Sequence, residues 1–527
     1  MWWCLGEKGG NILETGYVLV LDCGTQSMRA IVYDNKGALL GVTKVKYPKY
    51  EMTDEGFIEM HPDIFWNSAV RAVEKFWEQS PEVMKQVVAV TLASQRSTSV
   101  FVDKEGKPLR NAISWMDTRK IKENYRVSGG LKKTYKMMKV WDIVDNYNRS
   151  CPYHWVDRHE PELMEKVHKL LFISTYINFK MTGLFRDSIT SASGYIPFSG
   201  KRLDWAKRTD IEGRIFYVKK EHLFELVDPG EEIGTLTEAC AAQFHLPVGI
   251  PVIAAGSDKA CETLGVGCFD TSTVSVSLAS MVTVQTTTDN YLPLYPYGTV
   301  YPAAMKGKYN PELGITRGFW LVSWFIDEFA ELEKNESSDS NISIERLLNE
   351  KLDKVPPGSD GLLMQPYWMS DVRHPGASGT LIGLNDKHTR IHFYRALVEG
   401  LGYSIKEGIK SIELKTSDTI EKIGLSGGGA QSDILCQLLA NLFNKTVYVV
   451  QSHETSALGA AVLSYVYLNK YKTVEEAVSQ MVRITKTYEP EAEAAKQYEK
   501  LYQHVYKLTY KRLQPVYKKM IELKIRK

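Results

Sequence analysis

The chain has 527 residues, 44% of them hydrophobic and 24% charged, with a formal net charge of +2. That length exceeds what one hydrophobic core usually supports, so two domains of roughly 250 residues each are expected. The even charge balance argues against nucleic acid or an anionic membrane as a partner, and with neither a signal peptide nor a run of ~20 apolar residues, no membrane span is expected.

Seven cysteines stand at 4, 23, 151, 240, 261, 268 and 436. Their number is odd and none has C-x-x-C spacing, so the pattern suits a reducing cytoplasm and suggests neither a disulfide framework nor a zinc site. The basic C-terminus, KRLQPVYKKMIELKIRK, reads as a solvated helix face.

After a short tail, residues 17–22 read as a buried strand, with two further strands at 28–34 and 38–46 joined by the turn signal DNKG. HPDIFWNSAVRAVEKFWEQ reads as a helix, with Pro62 at its first position and Phe65, Ala69, Val73 and Phe76 in one apolar stripe. Strands follow at 87–94 and 98–106. The order β-β-β-α-β predicts a mixed sheet covered by helices. Residues 107–250 are not ordered by pattern alone. LPVGIPVIAAGSDKACETLGVG then reads as strand, glycine, acid and helix, and 272–288 alternates like a β-hairpin. Residues 333–341 are expected to form a polar loop or linker. Residues 391–414 read as a long helix whose Gly400, Gly402 and Gly408 imply close packing, against another helix or a ligand. Residues 422–443 read as strand, glycine turn and helix, followed by the strand TVYVV and the helix TSALGAAVLSYVYL.

Three stretches carry candidate chemistry. In YVLVLDCGTQSMR the apolar strand ends in Asp22, and Gly24, Thr25 and Ser27 follow. A carboxylate there is costly unless paired or bound to a cation. Such a turn can cradle an anion while the acid holds its Mg²⁺, or it can be a structural Asx-turn. In AAGSDKACETLG, Asp258 precedes a helix, as a reactive acid or as a cap. In GLSGGGAQSD, the glycines allow flat contact with a planar ring and Ser432 can cap the next helix; a connector without a ligand is the alternative. The stretch is neither a P-loop nor a Rossmann fingerprint.

Taken together, these stretches resemble the FGGY family of carbohydrate kinases, of the actin, Hsp70 and sugar kinase superfamily, from about residue 17 to about residue 480. LDCGTQSMRA is similar to the first phosphate motif of that family, GSDKACETLGVG to its catalytic-acid motif and GTLIGLNDKHTRIHFYRALVEGLGYSI to its C-terminal signature. The stretch GLSGGGAQSDILCQLLANLFNKTVYVVQSHETSALGAA resembles its adenosine motif; FRDSITSASGY and LRNAISWMDTR also resemble family segments. The resemblance implies an α/β fold of two ribonuclease H-like, actin-like ATPase domains with a nucleotide cleft between them. It implies a tail at 1–16, an N-terminal domain at 17–267 for sugar and phosphate, a C-terminal domain at 268–485 for adenosine, and a helical tail at 486–527.

The implied activity is ATP-dependent phosphorylation of a hydroxyl of a sugar or polyol. On the resemblance, Asp258 is the general base; Asp22 holds Mg²⁺; Gly24, Thr25, Arg29 and Ser280 bind the phosphates of ATP; and Gly428, Gly429, Ala430 and Ser432 bind adenosine. Arg96 and Trp115 join Asp258 in the sugar pocket, although a structural ion pair for Arg96 and a core position for Trp115 are also open. The partners implied are a small sugar or polyol in the cytoplasm, with no nucleic acid and no membrane. A homodimer is common in such families. A catalytically silent sugar-binding regulator and an actin- or Hsp70-like ATPase are the alternatives on the same fold.

Two departures from the pattern stand out. Ala279-Ser280 occupies the place of the usual Gly-Thr of the second phosphate hairpin. Glycerol kinases have Gln-Arg-Glu where this chain has Gln95-Arg96-Ser97, and Gln where it has Lys259, which counts against glycerol. Xylulokinases typically have Met-His in the first of these segments, so that identity is not supported either.

Overall fold

The structure is a computed structural model that describes residues 16–53, 55–138, 140–296, 298–340, 342–369, 373–523 and 525. The tail expected at 1–16 lies outside these residues apart from Gly16. The chain divides into two compact units. The first contains the described residues up to Gly265, together with Tyr301–Tyr309 and Glu454–Val482; the second contains Val266–Val300, Asn310–His453 and the chain from Arg483 onward.

The first unit is built on a six-stranded sheet. Its strands are β1 (Tyr17–Cys23), β2 (Ser27–Tyr33), β3 (Leu39–Lys46), β4 (Val87–Ser94), β5 (Glu232–Thr235) and β6 (Pro251–Ser257), in the spatial order β5-β6-β4-β1-β2-β3. β1, β4 and β6 are parallel, and β2, β3 and β5 are antiparallel to their neighbours. The parallel strands are near-continuous apolar runs because both their faces are covered. Helix α1 (Pro62–Gln79) packs on β2 and β3 through Phe65, Ala69, Ala72, Val73 and Phe76. His61 caps it and Pro62 fills its first position, as the sequence predicts. The strand expected at 98–106 is confined to Ser99–Val102, because Asp103 accepts hydrogen bonds from the backbone of Glu105 and Lys107 and closes the turn. It joins a second sheet of five short strands, Glu51–Met52, Ile58–Met60, Ala112–Ile113, Ser99–Val102 and Lys169–Phe172, which orders part of the stretch unreadable by pattern.

Helix α2 (Asp258–Gly265) leaves the end of β6 and crosses helix α5 (Thr455–Tyr467) at very short range. A Cβ at Gly265 would meet the carbonyl oxygen of Thr455 at 1.9 Å, and one at Gly459 that of Cys261 at 1.9 Å. α5 thus packs in the first unit although it lies far along the chain; it also contacts β1, β4 and β6.

In the second unit, strands β7 (Thr273–Leu278) and β8 (Val282–Gln285) form the predicted hairpin, and β9 (Tyr309–Ile315) pairs with β8. On the other side of β7 lie β10 (Lys422–Ser426), β11 (Thr446–Val450) and β12 (Ile484–Tyr488). The long helix α3 (Arg390–Thr416) uses its glycines for packing. A Cβ at Gly400 would strike the Met364 carbonyl at 2.4 Å, one at Gly402 the Leu442 side chain at 2.7 Å, and one at Gly408 the Val284 side chain at 3.1 Å. Leu442 belongs to helix α4 (Asp433–Phe443).

The segment at 333–341 is not the expected loop: Glu331–Ser340 is helical. Its polar composition conceals an anchor, because the Glu333 side chain is buried and accepts from Lys351 at 2.7 Å and from Arg390. The basic C-terminal stretch is helical over Lys507–Glu522, and Tyr517 is buried with Tyr367 and Ala377.

Candidate active site

The residues singled out in the first unit gather at one edge of its sheet. Strand register accounts for this. Cys23 of β1 lies opposite Ser94 of β4, and Ser94 lies opposite Ser257 of β6. The three parallel strands therefore end together, and the residues that follow emerge at their carboxyl ends, where open α/β sheets place ligands. With strands ~4.8 Å apart, Asp22 and Asp258 leave strands separated by a single neighbour, about 10 Å across.

Asp22 is buried near the end of β1 and pairs across the hairpin with Arg29, whose guanidinium lies 3.4 Å from its carboxylate. Arg29 also donates to Glu454, which precedes α5. Burial lifts the Asp22 carboxyl to about 7; Arg29 opposes the rise, and Glu454, Asp258 and Glu262 add to it. Asp22 thus sits among carboxylates, of which Glu262 is paired with Lys259 and Glu454 with Arg29, and its own raised proton affinity suits a cation bound at that carboxylate. Among the described residues, no group of three His, Cys, Asp or Glu side chains is arranged to hold a metal ion unaided. A phosphate-bound Mg²⁺ needs only one or two carboxylates, so Asp22 fits that use.

The turn after Asp22 is tight, with the Gly24 amide donating to the Ser27 carbonyl at 3.1 Å. Thr25 is fixed from both sides: Tyr50 Oη donates to its carbonyl at 2.7 Å, and Trp115 Nε1 donates to its Oγ1 at 3.1 Å. Trp115 is 42% exposed, which removes the core reading of that residue.

Asp258 opens α2 but does not cap it. The capping contact comes from Ser257, whose Oγ accepts from the Ala260 amide at 3.3 Å, while Asp258 accepts from the Lys259 amide at 2.8 Å. Desolvation raises the proton affinity of Asp258, and the charges of Lys259 and Arg96 oppose that rise. Lys259 Nζ donates to the buried Glu262 at 2.6 Å. The Arg96 guanidinium lies 3.8 Å from the centre of the Tyr301 ring. Ser97 adopts φ 65° and donates to the Ser193 carbonyl at 3.0 Å, packed against Gly194, where a Cβ would fall 2.0 Å from Ser97 Oγ.

Behind Asp258, a buried hydroxyl pair seats the strand. Ser188 and Thr190 both donate to the Ala255 carbonyl, at 3.1 and 3.0 Å. Asp187 in turn accepts from Ser174 at 2.5 Å, Thr175 at 2.8 Å, Asn178 at 3.1 Å and the Ser188 amide at 2.8 Å.

The other expected binding residues lie in the second unit. Ser280 is exposed in the β7–β8 turn, where the Trp320 amide donates to its carbonyl at 3.3 Å. Gly427 has φ 81°, and a 3₁₀ turn over Gly428–Gln431 leads into α4. A Cβ at Gly428 would meet nothing within 4 Å, so its face is open, whereas Gly429 packs on Leu278 and Phe319. Ala430 is buried, and Ser432 Oγ caps α4 by accepting from the Leu435 amide at 3.3 Å.

Glu454, Glu262, Tyr301 and the Ser188–Thr190 pair are residues that sequence reading does not single out. Glu262, Ser188 and Thr190 lie within stretches that resemble family segments, and Glu454 is an acid just before a helix, but no local feature marks Tyr301.

The first unit gathers acids and a tight turn at one sheet edge, and the second carries a glycine turn before α4; the comparisons with known proteins give the class of protein, a carbohydrate kinase. Residues 17–265 match the N-terminal domain, and residues 278–468 the C-terminal domain, of the FGGY family of carbohydrate kinases. The chain belongs to that family and is an ATP-dependent carbohydrate kinase. It is 26% identical over 509 residues to the uncharacterized sugar kinase YgcE of Escherichia coli, covering 96% of each chain. It is 27% identical over 507 residues to a gluconokinase of Bacillus subtilis, covering 92% of this chain and 94% of that one. The crystal structure of a ligand-bound xylulose kinase from Lactobacillus acidophilus superposes with a TM-score of 0.80 at 21% identity, over 96% of this chain and 99% of that one. The fold is the α/β actin-like ATPase fold in two domains. No helix among the described residues is long and apolar enough to cross a membrane.

Proposed function

We propose that the enzyme transfers the γ-phosphoryl group of ATP to a hydroxyl of a small sugar or sugar derivative, with Asp258 as general base. The acceptor oxygen forms a bond to the γ-phosphorus, the bond from that phosphorus to the ADP oxygen breaks, and the hydroxyl proton passes to Asp258. Such transfers run through a loose transition state, so alignment and charge neutralisation carry most of the catalysis. The observation that carries this reading is the state of Asp258. Its carboxylate lies at the shared strand edge, is not used to cap α2, and has a proton affinity raised by desolvation, as suits a base.

Gly24, Thr25 and Arg29 are assigned to the β- and γ-phosphates, with the Gly24 turn supplying amides and Arg29 a charge. Ser280 carries the same assignment from the family resemblance. Gly428, Gly429 and Ala430 are assigned to adenosine, the open face of Gly428 being suited to a ring. Ser432 contributes by capping α4 and holding that turn. Asp22 is assigned to Mg²⁺, through water. The ion, when bound, supplies positive charge that offsets the charge developing on the phosphates. Arg96 and Trp115 complete the acceptor site with Asp258. The family divisions expected at 267/268 and 485/486 are retained as a proposal for the functional domains.

Asp258→Asn tests the reading. Turnover should fall by ~10²-fold or more, the usual size of a general-base effect, with ATP affinity retained. Undiminished ADP release by that variant, in the presence of any accepted sugar, would overturn the role of Asp258.

A further inference from the structure

We infer that the acceptor is a polyhydroxy carboxylate, an aldonic acid or close analogue, whose carboxylate is held between Arg96 and Lys259 while one of its hydroxyls meets Asp258. This deepens the kinase reading of the same site and rests on it.

Ser94 and Ser257 stand opposite each other at the ends of adjacent parallel strands. The next residues along each strand are Gln95 and Arg96 on one side, and Asp258 and Lys259 on the other. Two cations therefore emerge beside the reacting acid from neighbouring strand ends ~5 Å apart. Both act on Asp258, lowering its proton affinity. Each is fixed in place: Arg96 lies against the Tyr301 ring at 3.8 Å, and Lys259 is held by Glu262 at 2.6 Å, one turn along α2.

The residues beside Asp258 at the end of β4 offer no carboxylate to a polyol. Its hydroxyl protons need acceptors, and a carboxylate is the strong one. None of the three residues after β4, Gln95, Arg96 and Ser97, is a carboxylate. The Ser97 hydroxyl is turned to the Ser193 carbonyl and wedged over Gly194. Glu262 is occupied by Lys259. Asp258 is left to receive the proton of the reacting hydroxyl. A site with two cationic donors, in which Lys259 already engages the neighbouring carboxylate Glu262, matches a substrate that brings its own negative charge. The planar guanidinium fork of Arg96 and the ammonium of Lys259 are both suited to a carboxylate. The chemistry is unchanged by this choice: the hydroxyl oxygen takes the γ-phosphoryl group, ADP leaves, and Asp258 takes the proton.

The test pairs each acid with its reduced counterpart, D-gluconate with D-glucitol and D-xylonate with D-xylitol, and adds L-threonate, D-galactonate and D-xylulose. ADP release is followed with the full-length enzyme and Mg²⁺-ATP. The kcat/KM for at least one aldonate should exceed that of its polyol by about 10²-fold or more, the scale of a desolvated charge pair. Arg96→Gln should cut that preference about tenfold or more, mainly through KM. Lys259→Gln with Glu262→Gln, which removes the pair together and strands no buried charge, should do the same. Calorimetry of the aldonates with Asp258→Asn reads binding without turnover, and affinity there should weaken as salt rises. Asp258-dependent phosphorylation that favours D-xylulose or the polyols over every acid would overturn this inference and leave the kinase reading intact. If no acceptor elicits ADP release, the kinase reading fails on its own count, and the calorimetry decides: salt-sensitive aldonate binding supports the acid-binding pocket, and its absence overturns it.

Discussion

Thr190 Oγ1 occupies the space into which a side chain at Gly256 would project: a Cβ at that position would lie 1.4 Å from it. Gly256 also has φ 131°, a conformation that L-residues rarely adopt. Two residues later comes Asp258. The hydroxyl pair that seats β6 and the glycine that lets it approach therefore set the position of the acid together.

Gly256→Ala should for this reason impair catalysis far more than a single methyl group would elsewhere. Both strain and collision act on the strand end, so kcat should fall by at least ~10-fold and thermal stability by roughly 2–4 kcal/mol. Adding Thr190→Ser, which keeps the hydroxyl and removes a methyl, should not restore activity, since the contact is with the oxygen. Steady-state kinetics and thermal melts of the two variants check this, and wild-type kcat in Gly256→Ala would refute it.

Asp22→Ala should act on the metal dependence. The Mg²⁺ concentration for half-maximal rate should rise by ~10-fold or more, with the apparent affinity for ATP reduced. Titration of activity with Mg²⁺ at fixed ATP measures it, and a superimposable curve would remove Asp22 from the metal site.

Asp187 gives a pH signature. Burial raises its carboxyl from 3.8 to about 6, although Ser174, Thr175, the Ser188 amide and Ser191 all favour the charged form. The folded protein therefore holds this proton more tightly than the unfolded chain. The resulting stability is fully present below about pH 4 and is lost as pH rises through about 6. At ~1.4 kcal/mol for each pH unit, the loss is roughly 3 kcal/mol. Denaturant unfolding at pH 4 and pH 7 should show that decline in the wild type relative to Asp187→Asn. Parallel pH profiles would contradict it.

Glu499 carries the opposite sign. Burial alone would raise its carboxyl, but Lys406, Gln503 and Lys410 hold it down to about 2. Its contribution to stability is present above about pH 4.5 and is lost as pH falls toward 2. Lys406 is buried, donating to Glu499 at 2.7 Å and to the Leu442 carbonyl at 2.5 Å. Because the Glu499 side chain is 39% exposed, solvent screens part of the pair, and Glu499→Ala should cost about 1–3 kcal/mol. Lys406→Met combined with Glu499→Ala should recover part of that loss in equilibrium unfolding, since no buried cation is then left without its partner.

Local pattern was enough to read β1, α1, β4, β6, α2 and α3, because alternation, helical stripes and turn residues report on nearest neighbours along the chain. It also supplied Asp22, Asp258 and the glycine turn at 428, where an acid or a run of glycines stands out against an apolar strand. It misjudged Glu331–Ser340, because the stability of that helix comes from Glu333 meeting Lys351 and Arg390, distant residues that leave no trace in the local sequence.

The order of acids, glycines and hydroxyls along the chain was sufficient to mark a kinase of this family. Only the folded structure decided that Glu454 lies beside Arg29, that Thr190 supports the strand before Asp258, and that Arg96 and Lys259 flank one acid. Those relationships arise from strand register and long-range packing. Side-chain chemistry can be read one residue at a time, but which charges share a field depends on which strands end side by side.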